Sequence, residues 1–334
     1  MPALPPKISV LLPVYNARSW LARAVQSILQ QTFAEFELLI VDDGSTDGSA
    51  DIAAGFSDPR VRLLRRPHAG LVAALNFGLL QARGEWIARM DADDESLQKR
   101  LEKQWAFAQQ HPHLGGIGCL VDMQPASRVT EGMRRYIGWL NTVRSEAEID
   151  RNRLIEMPLA HPTLMLRRAD LLAAGGYRDG DFPEDYELFL RLWERGVRMA
   201  KVPDVLYCWY DHSGRLSRRS QRYRAGAFLR LKVEHAARTL LPGRRLRLWG
   251  GGPESRRLLR LLRHHGFEPE ALVDVDAKKM GKTWAGLPVM HYSQLARDGA
   301  LVLVCVGRPD AREKIRNFLL ANGCNEGTDF ICVA

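Results

Sequence analysis

Short apolar runs alternate with amphipathic stretches over the first ninety residues. ISVLLPV at residues 8–14 and the run ending in LLIVDDGS from Leu38 are apolar and β-branched, which predicts buried strands. Between them, residues 17–31 carry apolar side chains at helical spacing, with Asn16 or Ser19 as a candidate cap. The pattern then predicts helices over residues 49–56 and 71–82 and strands from Val61 and Glu85. Such alternation predicts an α/β fold with a mostly parallel sheet between layers of helices.

The rest of the chain is also mixed and contains a second start. Residues 97–110 and 185–195 are predicted helices, whereas about 124–158 is less regular and predicts an insertion. A Leu-Pro-Gly turn at 241–243 predicts a linker. Beyond it the sequence predicts strands at LRLW, ALVDVD, LVLVCVG and FICVA, with helices over 255–265 and 311–322. We therefore predict two domains, over residues 1–240 and 244–334, the second a small Rossmann-like α/β module.

Length and composition agree with two globular domains. The chain has 334 residues, of which 46% are hydrophobic and 26% charged, as in ordinary globular proteins. No apolar run approaches the roughly 20 residues of a membrane span, and the start MPALPPKISV lacks the features of a signal peptide. We therefore expect a cytoplasmic protein. The five cysteines are scattered without CxxC spacing, so neither a disulfide framework nor a zinc site is predicted.

The positive charge of the chain is compatible with several classes of partner and does not distinguish between them. A net charge of +9 permits binding to nucleic acid, to an anionic membrane or to a phosphorylated substrate. Six arginines between Arg215 and Arg230 lie close to a Trp/Tyr cluster at residues 207–223. This segment suits a peripheral contact with an anionic membrane at the inner face, and it suits a solvated basic helix face equally well.

Acidic clusters follow two of the predicted strands. Asp42 and Asp43 follow one, and Asp91-Ala92-Asp93 follows another. Ligands of open α/β sheets collect at the carboxyl ends of the strands, which favours a binding site there. Residues at i and i+2 of an extended chain point the same way, so Asp91 and Asp93 can present two carboxylates to one Mg²⁺ or Mn²⁺ ion. A single DxD sequence also occurs by chance on solvated loops.

Several segments, in this order and spacing, resemble glycosyltransferase family 2, the inverting enzymes with the GT-A fold. They are ISVLLPVYN, VDDGSTDGS, GLVAALNFGLLQARGEWIARMDADD, RLEKQ, HPTLMLRR, GGY and PEDYELFLRL. The resemblance covers about residues 7–217, close to two-thirds of the chain. It implies a GT-A nucleotide-diphospho-sugar transferase fold, and an acceptor-side role for the irregular insertion.

The resemblance also implies a nucleotide-sugar site and a metal site. On the nucleotide side it implies the loop Pro13, Val14, Tyr15 and Asn16, the nucleobase carboxylate Asp43, and Asp91 with Ala92. Asp93 is the first candidate for direct metal ligation, with Asp91 beside it. His212 matches a segment that approaches the diphosphate or the metal, and Arg215 and Ser217 are candidates to hold the pyrophosphate.

An inverting transfer requires a base for the incoming hydroxyl, and the resemblance points to Glu184-Asp185. Asp185 matches the position of the base, and Glu184 lies near the acceptor or orients the loop. The same pair also suits an acidic first turn of a helix, and both interpretations can hold. Asp42 is expected to shape a turn and Asp94 to cap the next helix.

His161 matches a strand that lines the substrate site, although a lone histidine is more often a core or surface residue.

The second domain contains a glycine-rich turn. Gly250 to Ser255 follows a predicted strand and opens a helix, which gives a G-x-G-x-x-S variant of a phosphate-binding turn, and Asp274 or Asp276 ends the next strand. WGGGPES and LVLVCVG also resemble the small nucleotide-binding domain at the start of some sugar acyltransferases. A structural or dimerising role fits equally well.

Together these features predict a metal-dependent inverting glycosyltransferase. The donor is an NDP-sugar, with a UDP-sugar as the first candidate, and the acceptor is a glycan or lipid-linked molecule in cell-surface polysaccharide synthesis. No nucleic-acid partner is expected. One alternative is a nucleotidyltransferase, which needs a glycine-rich basic loop that PVYNARSW lacks. The other is a non-catalytic nucleotide-sugar sensor, which the Asp91, Asp93 and Asp185 set disfavours.

Overall fold

The computed structural model describes residues 5–334. Residues 1–4, which belong to the start examined for a signal peptide, and the side chain of Ser217 lie outside this description. The chain divides into two compact units: the first ends at Arg222, and the second comprises Asp150–Met157 together with Tyr223–Ala334. The division therefore lies earlier than the predicted boundary at residues 240–244, and a short earlier segment joins the second unit.

Among the described residues, the first unit contains an eight-stranded mixed sheet in the order β3-β2-β1-β4-β7-β6-β8-β5. The strands are β1 (Ile8–Val14), β2 (Phe36–Asp42), β3 (Val61–Arg65), β4 (Trp86–Arg89), β5 (Glu95–Ser96), β6 (Leu114–Gln124), β7 (Met165–Arg167) and β8 (Arg198–Tyr210). The first four in sheet order are parallel. β7 is antiparallel to both neighbours, β6 and β8 are parallel, and β5 is antiparallel to β8. The predicted α/β fold with a mixed, mostly parallel sheet is confirmed.

Helices cover this sheet. They are α1 (Leu21–Leu29), α2 (Ser49–Ala54), α3 (Leu71–Gln81), α4 (Arg100–Gln110), α5 (Glu131–Thr142), α6 (Glu146–Asn152), α7 (Arg168–Ala173), α8 (Glu184–Glu194) and α9 (Leu216–Arg219). α1 shows why they pack: Leu21, Val25 and Ile28 recur at helical spacing and are fully buried. Every residue of β1 and β2 is buried as well, because helices lie on both faces of a parallel sheet.

One prediction for this unit is wrong, and two strands were not identified from the sequence. The region predicted as irregular, residues 124–158, contains α5 and α6. In α5 only Leu140 is fully buried, so the apolar periodicity of the sequence is weak there. The long strands β6 and β8 were not predicted, because β6 carries three glycines and β8 carries a proline. The glycines of β6 allow close strand packing, since a Cβ on Gly116 would lie 2.8 Å from Met199 Cγ.

The second unit is a doubly wound sheet in the order β11-β12-β10-β9-β13-β14, parallel except for the β11–β12 pair. Its elements are α10 (Ala225–Thr239), β9 (Leu246–Trp249), α11 (Pro253–His264), β10 (Ala271–Asp274), β11 (Thr283–Trp284), β12 (Leu287–His291), β13 (Leu301–Val304), α12 (Pro309–Ala321) and β14 (Phe330–Cys332). The Rossmann-like module is present, extended by α10 and by the β11–β12 hairpin.

None of the helices in residues 5–334 combines the length and apolar character that crossing a bilayer requires.

A buried lysine on β8 gives the first unit a measurable pH dependence. Lys201 is buried, and its ammonium group donates a hydrogen bond to the Leu140 carbonyl oxygen at 2.5 Å. Burial lowers the pKa of Lys201 from 10.5 to about 7. Between these two values the unfolded chain binds more protons than the folded one, so this group makes stability rise with pH, by at most about 1.4 kcal/mol per pH unit.

We expect Lys201→Met to remove this rise. The measurement is the free energy of unfolding in urea at intervals from pH 7 to pH 10, with the exposed Lys99→Met as a matched control. The Lys201→Met curve should be flatter than the control curve over that window. Equal pH slopes in the two variants would contradict the assignment.

Candidate functional site

The loops after β1 and β2 are tied together by Asn16. Its side-chain oxygen accepts a hydrogen bond from the Thr46 backbone amide at 2.8 Å, and the backbone amide of Asn16 donates to Ser45 Oγ at 3.0 Å. Asn16 has a φ of 52°, a left-handed conformation that asparagine tolerates better than most residues. Asp42 accepts the Ser45 amide at 3.1 Å, which gives it the turn-shaping role predicted for it. Pro13 and Val14 are buried, whereas Tyr15 and Asn16 are exposed.

Asp43 is buried at the end of β2 among donors from the next loop. Its carboxylate accepts the Gly70 amide at 2.8 Å and the Ala69 amide at 3.2 Å. The ring of His68 lies 2.8 Å from the same carboxylate, and the Tyr15 ring stacks on His68 with 3.9 Å between centroids. The site thus places an exposed aromatic pair beside a buried carboxylate.

Three carboxylates converge after β4. Asp91 precedes Ala92 in the sequence, and Asp93 and Asp94 follow it. One carboxylate oxygen from each of the three aspartates lies within 4.8 Å of the other two. Asp91 is 2.5 Å from the guanidinium of the buried Arg89. Carboxylate oxygens are the ligands that Mg²⁺ and Mn²⁺ prefer. The donor set therefore fits such an ion.

Asp94 has a different role from the predicted helix cap. It accepts the Tyr210 amide at 2.8 Å and the Tyr207 hydroxyl at 3.2 Å, and Arg215 lies 3.5 Å away. The next helix, α4, begins six residues later at Arg100. Asp94 therefore links the end of β4 to the end of β8.

The segment after β8 brings two further predicted residues to this cluster. His212 Nε2 lies 2.7 Å from Asp93 Oδ2, and the His212 ring stacks on Trp20 with 4.9 Å between centroids. Arg215 is largely buried and pairs with Asp94. The side chain of Ser217 lies outside the described part of the chain.

The charges in the cluster shift one another. Burial opposes ionisation of Asp91, but Arg89 and then Arg215 attract its negative form, and the pKa of Asp91 is lowered overall. Burial raises the pKa of Asp94 well above its usual value, and the neighbouring Asp93 and Asp91 raise it further, against the attraction of Arg215. Burial disfavours the charged form of Arg215, yet Asp94, Asp93 and Asp91 raise its pKa. The cluster thus depends on positive charge placed beside it.

Glu184 and Asp185 open helix α8, as predicted. Asp185 is half-buried and accepts the Tyr186 amide at 2.7 Å. Glu184 is buried, and Arg222 lies 3.8 Å from it while pairing with Asp179 at 2.8 Å. Burial lowers the pKa of Arg89, but the charges of Asp91 and, more weakly, Glu184 raise it above its usual value. Glu184 and Asp91 therefore act on the same buried guanidinium.

His161 is a core residue. It is buried, with Nε2 3.0 Å from the Tyr177 hydroxyl. Burial, with a contribution from Arg89, lowers the pKa of His161 to about 3. The ring is therefore neutral near pH 7 and packs against Tyr177 without carrying charge.

Several residues of the site were not identified from the sequence. His68 follows β3 in RRPHAG, a polar cluster at a strand end, and that position is the signal that points to it. Arg89 is the last residue of the apolar strand β4, two residues before Asp91, and its burial beside that carboxylate is not evident from the sequence. Trp20, which stacks on His212, and Arg222, which approaches Glu184, are joined to their partners by tertiary structure alone.

The chain matches a family model described as glycosyl transferase family 2 over residues 9–176. The chain belongs to glycosyltransferase family 2. It is 36% identical over 228 residues to the Bacillus subtilis glycosyltransferase EpsE, covering 65% of this chain and 78% of EpsE. It is 30% identical over 203 residues to the amylovoran biosynthesis glycosyltransferase AmsE of Erwinia amylovora, covering 59% of this chain and 74% of AmsE. This family 2 protein is a transferase, and its relatives are named glycosyltransferases, which favours that interpretation over the nucleotidyltransferase and over the non-catalytic sensor.

Solved structures agree on the fold. The structure of Staphylococcus aureus TarS 1–349 in complex with UDP-GlcNAc is similar with a TM-score of 0.54 and 19% identity, covering 78% of this chain and 73% of TarS 1–349. The mannosyltransferase PcManGT from Pyrobaculum calidifontis, in complex with GDP-Man and Mn²⁺, has a TM-score of 0.51 and 20% identity, covering 71% and 63% of the two chains. The GT-A fold of the first unit is thereby confirmed.

We call the two hydrogen bonds that Asn16 makes with Ser45 and Thr46 the clamp. The clamp should protect nearby backbone amides from hydrogen exchange. We expect Asn16→Gly to lose the Thr46 hydrogen bond and to open this loop about fivefold more often, as for a loss of ~1 kcal/mol. Asn16→Ala should open it further, because alanine also disfavours the positive φ. Hydrogen exchange of peptides covering residues 44–50 measures the opening. Asn16→Asp keeps the acceptor and should retain the protection, and protection unchanged in all three variants would contradict the clamp.

Proposed function

We propose that this family 2 protein catalyses a metal-dependent, inverting transfer of a sugar from an NDP-sugar. A UDP-sugar is the first candidate for the donor. The acceptor is a glycan or a lipid-linked molecule in cell-surface polysaccharide synthesis. The observation that carries the proposal is the convergence of Asp91, Asp93 and Asp94 after β4, beside loops that offer an aromatic pair and a buried carboxylate. The amylovoran biosynthesis name of AmsE supports the class of product.

The donor site uses the loops after β1, β2 and β3. Tyr15 and His68 offer an exposed ring surface against which a nucleobase can stack, and Asp43 offers an acceptor for a base N–H. The UDP-GlcNAc complex of TarS and the GDP-Man complex of PcManGT support a nucleotide sugar as the ligand class. Arg215, already beside the carboxylate cluster, is available to hold phosphate oxygens.

Asp93 and Asp91 would hold the divalent cation, with His212 close to Asp93. A bound Mg²⁺ or Mn²⁺ neutralises charge on the diphosphate leaving group. Without a cation, the two carboxylates and the diphosphate would repel one another. The Mn²⁺ in the PcManGT complex supports this type of cofactor.

Asp185 acts as the base. The acceptor hydroxyl oxygen attacks the anomeric carbon as the bond from that carbon to the diphosphate oxygen breaks, and the hydroxyl proton passes to the Asp185 carboxylate. One displacement inverts the anomeric configuration. Asp185 is held for this step by the Tyr186 amide, and Glu184 is held near Arg222 one residue earlier.

The structure offers little support for membrane contact by the arginine-rich segment. Arg215 pairs with Asp94, Arg218 with Asp211, and Arg222 with Asp179. Since these three arginines are neutralised within the first unit, we do not extend the proposal to an anionic membrane. The cytoplasmic location stays a prediction.

The metal assignment predicts that donor binding depends on Asp93. We expect Asp93→Asn to weaken UDP-sugar binding by about tenfold or more in the presence of Mn²⁺, because one charged ligand of the cation is lost. Calorimetry with and without EDTA measures the effect, and chelation should weaken the wild type to the level of the variant. Asp58→Asn, in a partly buried ion pair with Arg60 just before β3, is the control. Equal affinity in Asp93→Asn and wild type would rule out this metal site.

The base assignment predicts a separation of binding from chemistry. We expect Asp185→Asn to keep donor affinity and to lower the transfer rate by about 10²-fold or more, since a general base is lost. Single-turnover transfer, together with donor titration, measures the two effects. A near-normal rate in Asp185→Asn would reject it as the base, and Glu184→Gln then tests the next candidate.

A further inference from the structure

The second unit has the topology that places ligands at one point of a parallel sheet. The chain runs from β9 to β10 and β12 on one side, and then to β13 and β14 on the other. The strand order therefore reverses between β9 and β13. In open α/β sheets, ligands bind at the carboxyl ends of the two strands that flank such a reversal.

A cavity lies at this reversal. Its volume is about 340 Å³, at the lower end of the range of small-molecule sites. Gly307, soon after β13, and Glu254, soon after β9, line it, and α10 contributes Phe228, Leu229 and Lys232. All lining residues belong to the second unit. The cavity therefore combines an apolar wall with a few polar groups.

Lys232 carries a buried positive charge at this cavity. Its Nζ donates hydrogen bonds to the carbonyl oxygens of Ile155 at 2.5 Å and Val333 at 3.4 Å. Among the described residues, no side-chain carboxylate forms an ion pair with it. Burial lowers the pKa of Lys232, while Glu156 and Glu254 partly oppose the shift. Carbonyl groups alone compensate a buried ammonium poorly, so an anion in the cavity would improve its pairing.

The two carboxylates that line the cavity are already engaged. Glu254 pairs with Arg257 at 2.7 Å and is about half exposed. Glu156 accepts the Met157 amide at 3.0 Å. Ionised carboxylates remain acceptors with spare capacity, and hydroxyl groups are donors that suit them. The lining thus offers one site for an anion and two sites for hydroxyl groups.

The glycine-rich turn has a separate explanation. A Cβ on Gly250 would lie 2.8 Å from the Cys305 carbonyl oxygen, and Gly250 has a φ of +111°. Trp284 Nε1 donates to the Gly251 carbonyl oxygen at 3.1 Å. Packing against the β13 loop therefore accounts for glycine at residue 250 without a bound phosphate. The cavity with Lys232 is the stronger indication of a ligand.

We propose that the second unit binds a small hydroxylated anion, a sugar phosphate or a sugar acid, in this cavity. The anionic group pairs with Lys232, the hydroxyl groups donate to Glu254 and Glu156, and the carbon skeleton packs on Phe228 and Leu229. The volume suits a compact metabolite and is small for a dinucleotide. This site is distinct from the carboxylate cluster after β4, which belongs to the first unit.

Calorimetry on the full chain tests the proposal with three probes: inorganic phosphate, glucose 6-phosphate and glucuronate. We expect saturable binding of one organic probe, weakened by about tenfold or more in Lys232→Met, because a charged hydrogen bond is lost. If inorganic phosphate competes with the organic probe, the ligand is a sugar phosphate. If glucuronate binds and phosphate does not compete with it, the ligand is a sugar acid. The exposed Lys278→Met and the first-unit Asp93→Asn are controls that should bind normally.

Gly307→Leu keeps the test decisive if Lys232→Met alters folding. Gly307 lines the cavity, and a Cβ there would meet no atom within 4 Å. The added side chain should weaken binding while the melting temperature stays unchanged. Binding of none of the probes overturns the proposal. Unchanged affinity in Lys232→Met also overturns it. If Lys232→Met fails to fold, unchanged affinity in Gly307→Leu overturns it instead. Loss of binding in Asp93→Asn overturns it as well, because the probe would then bind in the first unit.

Discussion

Three carboxylates at the end of one strand repel one another unless positive charge lies close, and the first unit is arranged to meet this constraint. Arg89 supplies a buried guanidinium from within β4, next to Asp91. Arg215 supplies a second beside Asp94, from the far end of β8. Arg215 follows β8, and β8 pairs with the short β5, which comes directly after Asp94, so the end of β8 lies beside the carboxylate cluster. The order of the strands in the sheet therefore determines which positive charges lie beside the carboxylate cluster.

The segment after β8 also connects the two chemical halves of the site. His212 contacts Asp93 of the carboxylate cluster, and Arg222 contacts Asp179 and approaches Glu184 at the start of α8. A shift of this segment would change both halves together. Arg215, Arg218 and Arg222 of this segment therefore have an internal role, as partners of carboxylates within the unit.

The predictable parts of the structure are those in which local chemistry and tertiary environment agree. β1 lies at its predicted residues because it is apolar and covered on both faces. β6 and β8 were missed because glycine and proline normally mark turns, and only the partner strand shows that close packing requires those glycines. In the site, acidic residues at strand ends were readable. The role of His68 was not, because its partner Asp43 lies 25 residues earlier, and that of Arg89 was not, because its burial beside Asp91 depends on the tertiary structure. Asp94 was assigned to a cap because its hydrogen-bond donors lie more than a hundred residues later.

The segment Asp150–Met157 has a consequence for the order of folding on the ribosome. It belongs to the second unit, and it makes contacts with residues much later in the sequence: Lys232 donates to the Ile155 carbonyl oxygen, and Glu326 lies close to Arg151. Domains generally fold during synthesis from the N-terminus. Here the segment leaves the ribosome long before its partners and stays uncovered while the first unit closes around its two flanking stretches. Completion of the second unit therefore waits until Lys232 and Glu326 have been synthesised, and a nascent chain that stalls after Arg222 exposes Ile155 and Met157 to chaperones.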